Sequence, residues 1–440
     1  ANNGVAKAAD GEALLFNTAS TTGYEKISSF ECSADGRTIT TTYSEPFADW
    51  KAVFGGGALM PAHIVAKNAG VDAITADLAG ADLEAVAKFW GEGFVGFDPE
   101  VALSGSWYDI ESFNPGQDLT LVRNENYFGT PAKLDSIVFR LVPDATAQPQ
   151  ALANDEVQVI TPQPNVDLLA QVADIAGVVS GTQSGTTFEH FDLNLANPVL
   201  ADPAVRRAFA LCIDRDAIVE TLVRPLNPDA VVMSNRMFIP ASPAYKDTSG
   251  GLGEQDIAKA KSELEAAGWT LGGDGVYEKA GQKLSFRIGR RDPNPRRQQT
   301  VQLVQAQCKE AGFDIKDDGA ENFNSERLPA SDYDVALFAW VATPFLSSNE
   351  SLYKTGGAQN WNNYGNAEVD TLLAQGNTEL DEAKRFDIYN KVDELLWKDT
   401  VTIPLFQFTD FLAHSEAVQG NVSLNGPSGV TWNANEWFLA

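Results

Sequence analysis

The chain has 440 residues, too many for one ordinary hydrophobic core, so two or more lobes are expected. Its formal net charge of −28, from 60 carboxylates against 32 Lys and Arg, excludes nucleic acid as a partner. Hydrophobic content of 44% and aromatic content of 10% exclude a disordered chain. No apolar run nears the ~18 residues that a membrane span needs.

In chain order, TITTTYSEPFADW (38–50) is β-branched and alternating, and predicts a strand. The Gly-rich FGGG that follows is no P-loop, since no Lys-Ser/Thr comes after it. ADLEAVAKFW (81–90) predicts an amphipathic helix, QDLTLVRNENYFG (117–129) a strand and turn, and KLDSIVFRLVPD (133–144) a second strand. ADPAVRRAFALCIDRDAIVETLV (201–223) is the clearest helical region, with Asp202 as N-cap and Pro203 at the first helical position. Helix EQDIAKAKSELEAAGW (254–269), strand QKLSFRIGRR, helix RQQTVQLVQAQCKEAGF with a stop at Gly312, and strand DYDVALFAW follow. AEVDTLLAQG and DEAKRFDIYNKVDELLWKD (381–399) predict two more helices, and VTIPLFQF (401–408) a nearly continuous apolar strand. Alternating strands and helices with short links give an α/β or α+β class.

Little catalytic chemistry is legible. His63, His190 and His414 are far apart in sequence and none sits in a metal-binding spacing, so nothing argues for a metal, and no cofactor is expected. GTQSG (181–185) has its Ser one place off a nucleophile elbow. Cys212 and Cys308 fall on apolar helix faces and read as buried small hydrophobes. An odd count of three cysteines with no short spacing gives no disulfide framework. RRDPNPRR (290–297) reads as a solvated basic loop.

Four segments together resemble the family 5 extracellular solute-binding proteins, the dipeptide-, oligopeptide- and nickel-type receptors of ABC importers. They are SGSWYDIESFNPGQDLTLVRNENYFGTPAKLDSIVFRLVPDATAQPQALANDEVQV (104–159), LADPAVRRAFALCIDRDAIVETL, DIAKAKSELEAAGW, and YGNAEVDTLLAQG with DEAKRFDIYNKVDELLWKDTVTIPLF. Phrases such as FADWKAVFGGGALMPAHI and TWNANEW are similar to an actinobacterial branch of ABC-transporter substrate-binding proteins. Family members carry a long segment before the equivalent of TGYEKI. Its motifs are not found here, and ANNGVAKAAD is expected to begin in mid-domain.

The resemblance implies a two-lobed type II periplasmic-binding-protein architecture with a small extra lobe and a hinged cleft. Residues 1–92 map to the remainder of the extra lobe, 93–194 with 405–440 to the core lobe, and 195–404 to the second large lobe. The crossings fall near FEHFDLN (188–194) and TIPLF (402–406). It implies no enzyme, but an extracytoplasmic monomer that hands a small-molecule or peptide ligand to permease subunits. Membrane attachment would come only through a lipid anchor not visible in this chain. A non-transport scaffold or regulator of envelope lipid or glycan synthesis is the alternative, and a hydrolase a more remote one.

In the family's peptide receptors, the loop after the equivalent of Ala339-Trp340 carries an Asp that pairs with the ligand's α-ammonium. Here that loop, VATPFLSSN, has no acid. A neutral or hydroxyl-rich ligand (a sugar, a glycolipid headgroup, a blocked peptide) is therefore expected, unless Glu350 or Glu189 substitutes. The candidate ligand residues are Trp340, Thr343, Phe345, Ser347, Ser348, Asn349, Asn360, Trp361, Glu189 and His190, with Trp432 as a further stacking face. Asp192 and Asn194 are expected to fix hinge backbone. Asn362, Asn363 and Asn366 are expected to form turns, and Arg123 and Arg140 to make structural ion pairs.

Overall fold

The structure, a computed structural model, describes residues 16, 21–55, 59–75, 77–425 and 428–440. ANNGVAKAAD and the last two residues of FGGG lie outside them. The described residues form two compact units. One holds those up to Glu25 with 51–183 and 410–440, the other 26–50 with 184–409.

The sheet orders its strands as Asp314–Ala320, Ser285–Arg291, Val335–Val341, Val178–Leu193 and Thr402–Ser415, the last two belonging to the second unit over 184–193 and 402–409. The first three run parallel, and Val335–Val341 pairs antiparallel with the long strand Val178–Leu193. That register sets Phe188 opposite Trp340, His190 opposite Phe338, and Asp192 opposite Ala336. Because strand side chains alternate, these six share one face, and Glu189, Phe191 and Leu193 share the other.

The Glu189 face is covered by helix Pro295–Glu310, whose N-cap Asn294 accepts from the Arg297 amide and whose Pro295 sits in the first turn. Its Val301, Val304 and Cys308 are fully buried, and they pack with Phe209, Phe286 and Phe313 in the largest core cluster. The helical region 201–223 is two helices, Pro203–Cys212 and Arg215–Leu222. Asp202 caps the first, as its sequence predicts. Asp214 caps the second by accepting from the Ala217 amide, and so ends the first.

Two expectations are corrected on this face. Cys212 and Cys308 are joined in a disulfide closing 96 residues, since the two helices bring their Cα atoms to 4.9 Å. The basic stretch 290–297 is no solvated loop. Arg290, Arg296 and Arg297 are buried, and each is ion-paired.

Helices Ala367–Thr378 and Glu382–Asp399 pack on the segment around Met237 and Phe238 as a second core. Beneath it, Arg236 meets Asp393 at 3.0 Å with both side chains buried.

In the first unit, strands Tyr108–Asn114, Asp118–Arg123 and Ser136–Arg140 make an antiparallel sheet. Arg123 pairs with Asp135, and Arg140 with Glu156 at 2.8 Å, as expected. Residues 413–414 pair with Val159–Ile160. Near the C-terminus, Trp437 is buried beside Tyr108 and Val418. No helix among the described residues is long and apolar enough to cross a membrane.

Candidate functional site

The strand Val335–Val341 reads VALFAWV, and its exposure rises along its length. Val335 to Phe338 are buried, Ala339 and Trp340 are half-buried, and Val341 is exposed. Trp340 thus surfaces at a strand end, where α/β sheets commonly present ligands. Trp361, half-buried, stacks on Trp340 with ring centroids 5.5 Å apart at 29°. Phe338 meets Trp340 edge-on at 5.0 Å. His190 lies 4.4 Å from the Phe338 ring and near-parallel to Trp340 at 6.3 Å. The fold therefore brings Trp340, Trp361 and His190 together as an aromatic shelf with an imidazole beneath it.

The loop after Trp340 is largely bonded to itself. The Thr343 hydroxyl donates to the Phe345 carbonyl at 3.0 Å, and the Ser348 hydroxyl to the same carbonyl at 2.8 Å. Ser347 is buried, and its amide donates to Asp49 at 2.7 Å; Asp49 also pairs with Arg385 at 2.6 Å. Asn349 starts a short helix and donates to the Leu346 carbonyl. Asn360 clamps its own turn, donating to Lys354 and Tyr364 carbonyls and accepting from the Tyr364 amide. Ser347, Asn349 and Asn360 thus hold the loop's shape, whereas Thr343 and Ser348 are exposed and Phe345 is half-buried.

Neither acid considered as a substitute is free. Glu350 pairs with Lys354 and accepts from Asn377 at 2.8 Å. Glu189 lies on the far side of the sheet from His190, fully buried. One oxygen accepts from Arg296 and the other from Arg297, both at 2.9 Å. Burial raises its pKa, but the two guanidiniums outweigh burial and hold it below the ordinary value.

Asn194 fixes backbone as expected, donating to the Ser331 and Tyr333 carbonyls. Asn363 adopts a left-handed turn conformation and Asn366 caps a helix, while Asn362 is buried under Val401. Asp192 does not act on backbone. It sits 6% exposed beside His190, with Nε2 to Oδ1 at 3.2 Å but out of line for a hydrogen bond. Tyr333 is buried nearby, and burial, then the charge of Asp192, pushes its phenol up. Sequence reasoning passed over Tyr333 and read Asp192 as a hinge residue. The alternation of FEHFDLN was the available signal, since it sets Phe188, His190 and Asp192 on one face. Trp432 belongs to the first unit, partly exposed, donating to the Ser423 carbonyl at 3.1 Å. Among the described residues, no three His, Cys, Asp or Glu side chains are placed to hold a metal ion.

The chain matches the model of the bacterial extracellular solute-binding proteins, family 5 middle, over residues 13–363. It is 30% identical to the oligopeptide-binding protein OppA of Mycobacterium tuberculosis over 405 residues, covering 91% of this chain and 64% of that protein. It is 25% identical over 356 residues to AppA of Bacillus subtilis, covering 78% and 63%. The chain therefore spans less than two thirds of these relatives' length.

Among solved structures, the periplasmic EDTA-binding protein EppA superposes with a TM-score of 0.84 at 26% identity, over 95% of this chain and 76% of that one. AppA of Bacillus subtilis in complex with a nonapeptide is alike in fold, with a TM-score of 0.80 at 21% identity over 97% and 81%. The shared fold is the mixed α/β type II periplasmic-binding-protein fold that the sequence resemblance implied.

Proposed function

Because this chain belongs to the family 5 extracellular solute-binding proteins, we propose that it is the extracytoplasmic receptor of an ABC importer. It captures a peptide and delivers it to permease subunits, acting as a monomer and without turnover. The structural observation that supports the reading is the stacked, half-exposed Trp340–Trp361 pair at a strand end. Indole faces take up peptide side chains and backbone planes without demanding one sequence. In this reading Trp340 and Trp361 form the contact surface and His190 lies under it. Thr343, Phe345 and Ser348 form the rim. The oligopeptide-binding relatives favour a peptide over the sugar or glycolipid that the acid-free loop suggested. They lend no support to the scaffold or hydrolase alternatives. Lipoprotein relatives from mycobacteria agree with attachment through a lipid anchor in the full protein.

The test is native mass spectrometry of protein purified without refolding, followed by calorimetric titration with a mixed pool of short peptides. A peptide-sized mass lost on denaturation, or saturable binding of the pool, is expected. A protein that retains nothing and binds no peptide would sink the reading.

A further inference from the structure

On the His190 face of the second unit's sheet, several buried polar atoms have no hydrogen-bond partner among the described residues. They are both ring nitrogens of His190, Oδ1 of Asp192 and the Tyr333 hydroxyl. Buried polar atoms in folded proteins are nearly always satisfied, so a group of orphans on one face points to a guest. The character of the guest follows from the orphans. A carboxylate oxygen, a phenol and an imidazole all offer lone pairs, and the walls beside them are the π faces of Phe338, Trp340 and Trp361.

His190 Nε2 lies 3.2 Å from Asp192 Oδ1 without hydrogen-bond alignment, and the arginines of this sheet are committed elsewhere. Arg287 and Arg327 are taken by Asp318, Asp332 and Asp334, and Arg290 by Asp292 and Asp317. Arg296 and Arg297 sit on the opposite face with Glu189. The Asp192 charge is felt by the Tyr333 phenol, which burial first, then that charge, pushes up. Of the rings on this face, Trp340 and Trp361 are half-buried and stand nearer solvent than His190 and Phe338.

We infer that His190, Asp192 and Tyr333 form a cation subsite that takes the ammonium end of a basic ligand side chain, its methylene stem lying along the Trp340–Trp361 shelf. A flexible stem matches the geometry, since the polar atoms are buried and the indoles are half-buried. The net charge of −28 would also draw such a ligand in. The inference rests on the peptide-receptor reading and adds its side-chain preference.

The experiment titrates the full chain and Asp192→Asn with the peptides Ala-Ala-Lys-Ala-Ala and Ala-Ala-norleucine-Ala-Ala. In parallel, indole fluorescence is followed with acetyl-lysine amide and acetyl-norleucine amide. The lysine peptide is expected to bind the natural chain about tenfold tighter or more. Asp192→Asn should remove that preference and leave the norleucine peptide's affinity in place. Equal affinity of the two peptides, or a preference that survives Asp192→Asn, overturns the cation subsite and leaves the peptide receptor standing. If neither peptide binds, the receptor reading is judged by the mixed-pool titration, and the amides decide the subsite. An Asp192-dependent response to acetyl-lysine amide alone supports it, and no response overturns it. Should Asp192→Asn not fold, Tyr333→Phe replaces it, with the preference expected to shrink several-fold; an unchanged preference overturns the inference.

Discussion

Glu189 and His190 are adjacent in sequence and equally hidden from solvent, yet the two sheet faces treat them in opposite ways. On the Glu189 face the carboxylate is answered by two guanidiniums, with Nε of Arg296 left without a hydrogen bond. Arg296 and Arg297 close on the carboxylate, and the Cys212–Cys308 bond ties the covering helix to its neighbour. On the His190 face, the imidazole, Oδ1 of Asp192 and the Tyr333 phenol are buried without hydrogen bonds beside a half-buried indole pair. Equal burial therefore hides unequal hydrogen bonding: most of the capacity is filled from inside the protein on one face and little of it on the other.

The sharpest way to break this comparison is Glu189→Gln. It leaves two buried guanidiniums without their carboxylate and is expected to destabilise the second unit by about 3–5 kcal/mol in chemical denaturation. A loss under about 1 kcal/mol would mean the triad is not structural. Next in size is the disulfide. The variant Cys212→Ala with Cys308→Ala, compared with the oxidised chain, should lose about 2–4 kcal/mol. An unchanged denaturation midpoint would contradict the covalent tie.

The same face predicts a pH dependence. Glu189's folded pKa lies below its ordinary 4.5, so its contribution is complete above that value and is lost as pH falls through the folded one. Stability of the natural chain should fall on acidification below about pH 4.5. Glu189→Gln, starting lower, should show a shallower fall. Parallel curves would remove Glu189 from the account.

The smallest effect is expected on the other face. His190→Phe keeps an aromatic plane and deletes two orphan nitrogens, so stability should stay within about 1 kcal/mol. A loss near that of Glu189→Gln would show that both faces are structural, and the contrast would collapse.

Most elements were legible because periodicity and caps are local. Asp202-Pro203, Gly312 and the strand Val335–Val341 all stand where their neighbours place them. The break at Ile213–Asp214 was not read, because apolar spacing runs on through Ile213 and Ile218 while a single capping carboxylate divides the helix. The disulfide and the Glu189 triad escaped for a different reason. Each joins residues about a hundred positions apart, and no spacing rule reaches that far. For the site, Trp340, Trp361 and His190 were marked as candidates and do come together. Ser347, Asn349 and Asn360 carry the right chemistry for a ligand but direct it into their own loop. Composition cannot distinguish a hydrogen bond offered outward from one already made.

The Cys212–Cys308 bond brackets the long irregular stretch between Arg224 and Asp256. A protease that nicks the backbone anywhere inside that bracket would not release a fragment. The cut chain would migrate as one species until a reductant is added, and only then part in two, so a gel run without thiol would report the nicked chain as whole.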